Sequence, residues 1–112
     1  SMDERDFDRM ADGVIQRLME ALEDQVPDAE IDLEGGILTV VLPDVGSYLI
    51  NKHRPNREIW LSSPRSGAWH FTHDAEAGWV STRVVDDARP NPHRLLADEL
   101  ADAPGQPVKL AE

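Results

Sequence analysis

The sequence contains no cysteine, which excludes several classes of protein at once. Without thiols there is no disulfide framework, no thiolate nucleophile, and no cysteine-ligated zinc or iron–sulfur cluster. No apolar run approaches the roughly 18–20 residues that a membrane span needs. Positive charge is also scarce, since 11 basic residues face 22 acidic ones, for a formal net charge of −11. Such a surface repels phosphates and anionic lipid heads, so we expect no nucleic-acid partner and no membrane partner.

The acidic charge is concentrated in the first part of the chain. Residues 1–44 hold 13 acidic and 3 basic side chains, a net charge of 3 − 13 = −10. Residues 45–112 hold 9 acidic and 8 basic side chains, a net charge of 8 − 9 = −1. Uniform acidity would indicate only solubility or adaptation to salt. A one-sided distribution instead indicates an acidic patch with a role of its own.

Hydrophobic periodicity predicts a helix, a run of strands and a second helix. The length predicts a single domain, residues 1–112. Residues 1–2 are interpreted as a remnant preceding the native start. Apolar residues at three- and four-residue steps predict the first helix over 4–25, with Asp3 near its N-cap. Pro92 suits the first turn of the last helix, predicted over 92–103. Alternation and turn signals predict strands at 30–34, 37–42, 46–53, 58–63, 68–72 and 79–83. This order predicts an α+β fold, with two helices packed on one face of an antiparallel sheet of about six strands.

An acidic ridge is predicted along the end of the first helix and the first strand. Glu20, Glu23 and Asp24 share a helix face in the last turn, where the helix dipole favours cations instead. In the strand that follows, Ile31 and Leu33 are expected to enter the core. Three carboxylates then line up on the outer side: Glu30, Asp32 and Glu34. Hard oxygen ligands attract Mg²⁺, Ca²⁺, Mn²⁺ or iron. A solvated acidic face is the more common explanation of such charge taken alone, and a basic protein partner would also suit it.

Alternation in the middle strands predicts a polar sheet face with one tryptophan in its midst. The residues expected to point to the core are Tyr48, Ile50, Ile59, Leu61, Trp69 and Phe71. Leu49 is expected to point outward, together with a mostly polar set: Asn51, His53, Glu58, Trp60, Ser62 and His70. An exposed Trp60 ringed by polar groups is typical of a protein-binding anchor. The alternative is a register shifted by one residue that places Trp60 in the core, where strand tryptophans more often lie.

The sequence shows no conventional active site. It has no Ser/His/Asp arrangement, no glycine-rich phosphate loop and no EF-hand spacing. His70 and His73 are three residues apart on a predicted strand, so they face opposite sides and do not readily chelate one metal. His53 and His93 are isolated in the sequence. The histidines are therefore interpreted as mainly structural or surface groups, and Trp69 and Trp79 as core residues.

One long segment is a recognisable signature: residues 48–67 read Tyr-Leu-Ile-Asn-Lys-His-Arg-Pro-Asn-Arg-Glu-Ile-Trp-Leu-Ser-Ser-Pro-Arg-Ser-Gly. This segment resembles the signature of the frataxin family. The Gly-Gly-Ile-Leu-Thr-Val hairpin, the Trp-His-Phe run at 69–71, Trp79 and the Leu-Leu…Glu-Leu helix also match, so the resemblance covers nearly the whole chain. Two departures bear on partner contacts. His53 and Glu58 stand where many members have glutamine, and His70 stands where eukaryotic members often have arginine.

The resemblance implies the helix–sheet–helix fold and an iron-binding accessory and regulatory protein of iron–sulfur cluster assembly. Members of the family bind ferrous or ferric iron weakly through an acidic ridge. The positions of this chain that match the ridge are Glu20, Glu23, Asp24, Asp28, Glu30, Asp32 and Glu34. Partner-binding positions are Asn51, His53, Glu58, Trp60 and His70, and the implied partners are the cysteine desulfurase and the iron–sulfur scaffold protein. The chain itself would hold no cluster and would be a monomer when free of iron. The expected compartment is a bacterial cytoplasm, with the mitochondrial matrix after processing as the alternative.

Two other functions stay open on the sequence. One is a ferroxidase or iron-storage protein that oligomerises with iron, although the chain lacks the Glu-x-x-His pairs of a buried di-iron bundle. The other is an acidic interaction module with no metal role. The sequence does not determine whether the protein activates or inhibits cluster assembly.

Overall fold

The computed structural model describes residues 2–101 as two helices and six strands. The elements are α1 (Glu4–Gln25), β1 (Glu30–Glu34), β2 (Ile37–Leu42), β3 (Gly46–His53), β4 (Glu58–Ser63), β5 (Gly67–Asp74), β6 (Gly78–Ser81) and α2 (Pro92–Ala101). The strands form one sheet in chain order, and every neighbouring pair is antiparallel. The predicted α+β fold is confirmed. No helix in the described part of the chain is long and apolar enough to cross a membrane.

Helix α1 has the bounds that its periodicity predicts. Its first turn is capped by Asp3, whose carboxylate accepts a hydrogen bond of 2.8 Å from the amide of Asp6. The residues that it buries recur at helical spacing: Phe7, Ala11, Val14, Ile15, Leu18 and Leu22. The last turn carries no basic residue, so nothing within the helix balances the acidic side chains at its negative end.

The core lies between the sheet and the two helices. The residues of the third, fourth and fifth strands that were predicted to point inward are all buried: Tyr48, Ile50, Ile59, Leu61, Trp69 and Phe71. Leu96 and Leu100 of α2 are buried in the same cluster as the apolar face of α1. Both helices therefore cover one face of the sheet, and the opposite face, with Trp60 on it, is open to solvent or a partner. The alternative register with a buried Trp60 is wrong.

Some predicted ends differ from the structure. Strand β5 is longer than the predicted 68–72, and β6 starts at Gly78 and ends at Ser81 rather than at residue 83. Beyond this point the chain bends away, because the Ser81 hydroxyl accepts the Arg83 amide at 2.8 Å. The last two predicted residues of the second helix, 102–103, and its predicted stop at 104–105 lie outside the described residues.

Helix α2 is tied to the sheet through Glu99. Its Oε1 accepts hydrogen bonds from the Tyr48 hydroxyl at 2.7 Å and the Ser63 hydroxyl at 2.6 Å, and its Oε2 accepts one from Ser66. The Trp69 indole donates to the Ser66 hydroxyl at 2.7 Å. Burial, followed by the hydrogen bond to Glu99 and its negative charge, raises the pKa of Tyr48. Part of the Ser-Ser-Pro-Arg-Ser-Gly segment therefore serves the fold, because its serines hold α2.

Candidate functional site

The outer face of the sheet is organised around Trp60. His53 of β3 stacks on its indole with ring centroids 3.7 Å apart and planes 7° apart. His70 of β5, which pairs directly with Trp60, stacks on it at 4.4 Å and 11°. Because β3 and β5 lie on opposite sides of β4, the two imidazoles enclose the indole between them. His53, which is isolated in the sequence, is thus part of the site.

Glu58 fixes the edge of the same indole. It accepts a hydrogen bond from Trp60 Nε1 at 2.9 Å, and its Oε1 lies 3.9 Å from Nδ1 of His70. The Glu58 side chain is only 15% exposed, against 42% for His70. Asn51 lies directly opposite Trp60 on β3. The structure therefore brings together all five residues that the sequence assigned to partner binding, in one cluster centred on the indole.

The outer face is more apolar than predicted. Ile37, Val41 and Leu49 are 43%, 39% and 40% exposed, and alternation places them on the face opposite the buried residues of their strands. The prediction of a polar face with one aromatic residue is therefore incomplete. The sequence carried the signal for it, because the Ile-Leu-Thr-Val-Val-Leu strand is apolar on both sides. An exposed apolar face rimmed by polar groups is typical of an interaction surface.

The predicted acidic ridge is exposed along its length. All seven carboxylates lie at the surface: Glu20, Glu23, Asp24, Asp28, Glu30, Asp32 and Glu34. Of these carboxylates, Glu20 accepts a hydrogen bond of 3.2 Å from the side-chain amide of Gln16, one turn earlier on α1. Among residues 2–101, no three His, Asp or Glu side chains are arranged so that they could enclose a metal ion. The ridge offers separate oxygen ligands along a surface, not a preformed cage.

The acidic residues nearer the start of α1 are in a different environment. Lys52 reaches across from β3 and lies 2.8 Å from Asp12 and 3.3 Å from Asp8, and Arg54 lies 2.9 Å from Asp8. Partial desolvation raises the pKa of Asp8, but the hydrogen bonds and charges of Arg54 and Lys52 outweigh it, so the net pKa lies below the ordinary 3.8. This half of the helix is neutralised by the sheet, and the ridge at the other end is not.

One residue next to the ridge does not lie where the sequence put it. Ile31 is half-buried against the core, as expected, but Leu33 is 37% exposed. The expectation that Leu33 enters the core is wrong, because β1 is an edge strand and Leu33 sits beside the exposed hairpin at its end. The outward direction of Glu30, Asp32 and Glu34 is unaffected.

Trp79, expected in the core, is also only half-buried, while Trp69 is fully buried.

The ridge and the Trp60 cluster belong to one continuous surface. A row of directly paired residues leads across the outer face from Asp32 to Thr39, then to Leu49 and Ser62. The neighbouring row holds Asn51, Trp60 and His70. With neighbouring strands about 4.8 Å apart, the ridge strand and the Trp60 strand are separated by about 14 Å. The fold and this surface define a small α+β protein of the helix–sheet–helix class that presents acidic and aromatic groups side by side.

The comparisons with known proteins identify the family. A family model described as a frataxin-like domain matches residues 1–105. Mitochondrial frataxin of Arabidopsis thaliana is 35% identical over 116 residues, which cover 98% of this chain and 60% of the plant protein. The iron-sulfur cluster assembly protein CyaY of Neisseria meningitidis is 29% identical over 99% of this chain and 98% of its own length. The chain belongs to the frataxin family, and the predicted resemblance is confirmed.

Solved structures show the same fold. The frataxin of Psychromonas ingrahamii superposes with a TM-score of 0.81 at 21% identity, over 99% of this chain and all of that one. The trimeric frataxin of the yeast Saccharomyces cerevisiae, complexed with ferrous iron, superposes with a TM-score of 0.64 at 32% identity. That match covers 92% of this chain and 87% of the yeast chain.

Proposed function

We propose that this protein is an iron-binding accessory and regulatory protein of iron–sulfur cluster assembly. It binds iron as cargo on the acidic ridge and docks on the cysteine desulfurase and scaffold protein through the Trp60 face. The observation that carries this proposal is the continuity of the two surfaces, from Asp32 through Leu49 to the Trp60 cluster. A partner seated on the indole would have the ridge strand within about 14 Å. The name of the Neisseria relative, an iron-sulfur cluster assembly protein, supports the same role.

The ridge suits weak and exchangeable binding of iron. Its carboxylates are hard oxygen donors, which bind hard cations, and no lysine or arginine of α1 follows them in the last turn. Because they are exposed and do not converge within the described residues, a bound ion would keep most of its water ligands. Such an ion leaves easily, as a delivery or sensing role requires. The ferrous iron complex of the yeast relative supports the choice of metal.

The Trp60 face suits protein docking. Tryptophan is among the residues that most often dominate the binding energy of an interface. Here His53, His70 and Glu58 hold its ring in place before any partner arrives, which lowers the entropy lost on binding. The acidic strand beside it would attract a basic partner surface and speed association. The chain acts on the desulfurase complex as a regulator and supplies no thiolate of its own.

A binding assay with the purified desulfurase–scaffold complex tests the docking surface. We expect Trp60→Ala to weaken binding at least tenfold while the circular dichroism spectrum stays that of a folded protein. Val84→Ala, which trims an apolar side chain 58% exposed in the loop after β6, is the matched control and should bind as the wild type does. Equal binding by Trp60→Ala and wild type would remove Trp60 from the interface.

A titration with ferrous iron under anaerobic conditions tests the ridge. We expect selective broadening of the NMR signals of Glu20, Glu23, Asp24 and Asp32, with little change at the ion-paired Asp8. Broadening at Asp8 as strong as at Asp24 would indicate non-specific attraction to the acidic chain. No change at the ridge would favour an interaction module without a metal role.

A second candidate function is a ferroxidase or iron store. The specific observation that favours it is the trimeric state of the yeast relative complexed with ferrous iron. It predicts oxygen uptake on addition of ferrous iron and growth of oligomers, whereas the regulator is a monomer when free of iron. Sedimentation with and without iron separates the two. We place the protein in a bacterial cytoplasm, with the mitochondrial matrix as the alternative that the plant relative supports.

A further inference from the structure

A groove lies on the helix side of the sheet, opposite the outer face that carries Trp60. It has a volume of about 460 Å³ and is lined by Arg9, Met10, Gly13, Arg17, His73 and Trp79. A smaller cavity of about 110 Å³ shares Arg17 and Trp79 with it and reaches α2 at Pro92. Sites for small molecules usually have volumes of about 300–1,000 Å³, so the groove is large enough for one.

Among residues 2–101, the ionisable side chains that line this groove are arginines and a histidine, although the chain carries a net charge of −11. Arg9 pairs with Asp6 at 3.4 Å, but both side chains are more than half exposed, so the pair is weak. The guanidinium of Arg17 has no ion pair within residues 2–101. An arginine without a carboxylate partner in so acidic a protein is available to an anion from outside.

Gly13 gives the Arg17 guanidinium its place in the groove. A Cβ at position 13 would lie only 3.1 Å from Nη1 of Arg17, so the missing side chain lets the guanidinium lie against the helix. Glycine within a helix is unfavourable relative to alanine, and the three atoms nearest to an ideal Cβ at position 13 all belong to the Arg17 side chain. A ligand held by Arg17 would account for both the glycine and the unpaired arginine.

Trp79 forms the opposite wall of the groove. Its ring packs edge-on against Phe7, with centroids 6.1 Å apart, and against His73 at 5.3 Å, so its position is fixed. A half-buried indole offers a flat apolar surface, and a guanidinium binds carboxylate or phosphate oxygens in pairs. We propose that this groove binds a small organic anion, an aromatic ring carrying a carboxylate or phosphate group, with the anion on Arg17 and the ring against Trp79.

The overall negative charge of the chain does not prevent such binding. At physiological ionic strength the Debye length is about 8 Å, so distant acidic groups are largely screened while a contact with Arg17 is not. The site lies on the helix side of the sheet, opposite the outer face that carries Trp60, so it is compatible with a docked partner. It goes beyond the proposed role in cluster assembly and does not depend on it.

Three tryptophans in separate environments allow a direct test by NMR. Their indole Nε1–H signals report on the groove (Trp79), the outer face (Trp60) and the core (Trp69). The probes are benzoate, adenosine monophosphate and inorganic phosphate, each added to the full chain without iron. We expect benzoate and adenosine monophosphate to shift the Trp79 signal in a saturable way and to leave the Trp60 signal in place. Inorganic phosphate, which has no ring, should bind at least tenfold more weakly than adenosine monophosphate.

Two variants and one control complete the test. Arg17→Gln should weaken binding at least tenfold, whereas Arg94→Gln, which removes the same charge from the Asp98 ion pair on α2, should not. Gly13→Leu should fill the groove, abolish binding and leave the melting temperature no lower than that of the wild type. The proposal is overturned if millimolar ligand leaves the Trp79 signal unmoved, if Trp60 shifts instead, if inorganic phosphate binds as well as adenosine monophosphate, or if Arg17→Gln binds as the wild type does.

Discussion

The imidazole of His53 stacks on the indole of Trp60 with their ring centroids 3.7 Å apart and their planes 7° apart. Together with His70, 4.4 Å away on the next strand, it holds the tryptophan in a three-ring stack across β3, β4 and β5. An aromatic side chain on an open sheet face would otherwise sample several rotamers. The stack fixes one of them, so the outer face presents the indole in a single orientation.

The stack is expected to stabilise the fold as well as orient the indole. Each aromatic pair is worth about 0.5–1.5 kcal/mol beyond its buried area, so His53→Ala should lower the free energy of unfolding by about that amount. In the background of Trp60→Ala the same substitution should have almost no effect, because its partner is gone. Urea denaturation of the four proteins of this cycle measures the coupling. A coupling energy near zero would show that the two rings touch without stabilising each other.

The hydrogen bonds of Glu99 are expected to be the largest polar contribution to stability among the described residues. Glu99→Ala leaves the hydroxyls of Tyr48, Ser63 and Ser66 without their acceptor and should destabilise the protein by about 2–4 kcal/mol. Asp98→Ala, one residue away and in an exposed ion pair with Arg94, should change stability by less than about 0.5 kcal/mol. Chemical denaturation compares them. Similar midpoints for the two variants would contradict the assigned role.

Stability at high pH is expected to depend on Tyr48, the only tyrosine. Its pKa is raised in the folded state, so the un-ionised hydroxyl stabilises the fold fully below the ordinary pKa of 10.0. That stabilisation is lost as the pH rises above 10, because the unfolded chain ionises first. The difference in unfolding free energy between wild type and Tyr48→Phe should therefore shrink between pH 9 and pH 11. A constant difference over that range would show that the hydroxyl is not protected.

Acidic residues at the two ends of α1 are expected to respond oppositely to neutralisation. Asp8→Asn should destabilise the protein at pH 7, since Lys52 and Arg54 lose their partner. The pKa of Asp8 is lowered in the fold, so this contribution is complete above about pH 3.8 and is lost as the pH falls below it.

Asp24→Asn provides the matched comparison at the other end of the helix. It should leave stability unchanged or raise it by a few tenths of a kcal/mol at low ionic strength, because the last turn disfavours a negative charge. Thermal melting at pH 7 and pH 3 separates the two effects. Destabilisation by Asp24→Asn equal to that by Asp8→Asn would mean that the ridge is structurally paired and not free for a cation.

The fold was predictable from the sequence because its signals are local. Helical periodicity predicted α1, and alternation predicted the two faces of β3, β4 and β5. Gly35-Gly36 predicted the first hairpin. The ends of β6 were less predictable, since the strand stops where a side chain, the Ser81 hydroxyl, accepts a hydrogen bond from the backbone amide of Arg83. The burial of Leu33 was predicted wrongly because alternation shows which face of the sheet a side chain points to, but not how deeply it is buried at an edge strand.

The members of the cluster around Trp60 were predictable from the sequence, and their arrangement was less so. The outward direction of Asn51, Trp60 and His70 follows from period two, but the stacking of His53 depends on cross-strand register, which alternation alone does not fix. Lys52 was missed although it alternates with Tyr48 and Ile50, which places it on the helix side. Its ion pair with Asp12 could be predicted only by knowing where α1 lies over the sheet. That position depends on core contacts between residues far apart in the sequence.

The rate of sulfide production by the cysteine desulfurase, measured with scaffold protein and ferrous iron, tests the central claim most directly. Adding the wild-type chain should change this rate in an iron-dependent way. Trp60→Ala should change the rate much less than the wild type does, because it docks weakly. The double variant Glu23→Gln with Asp24→Asn should still change the rate, but independently of iron. A wild-type chain that leaves the rate unchanged with and without iron, or a Trp60→Ala variant that acts as the wild type does, would contradict the account.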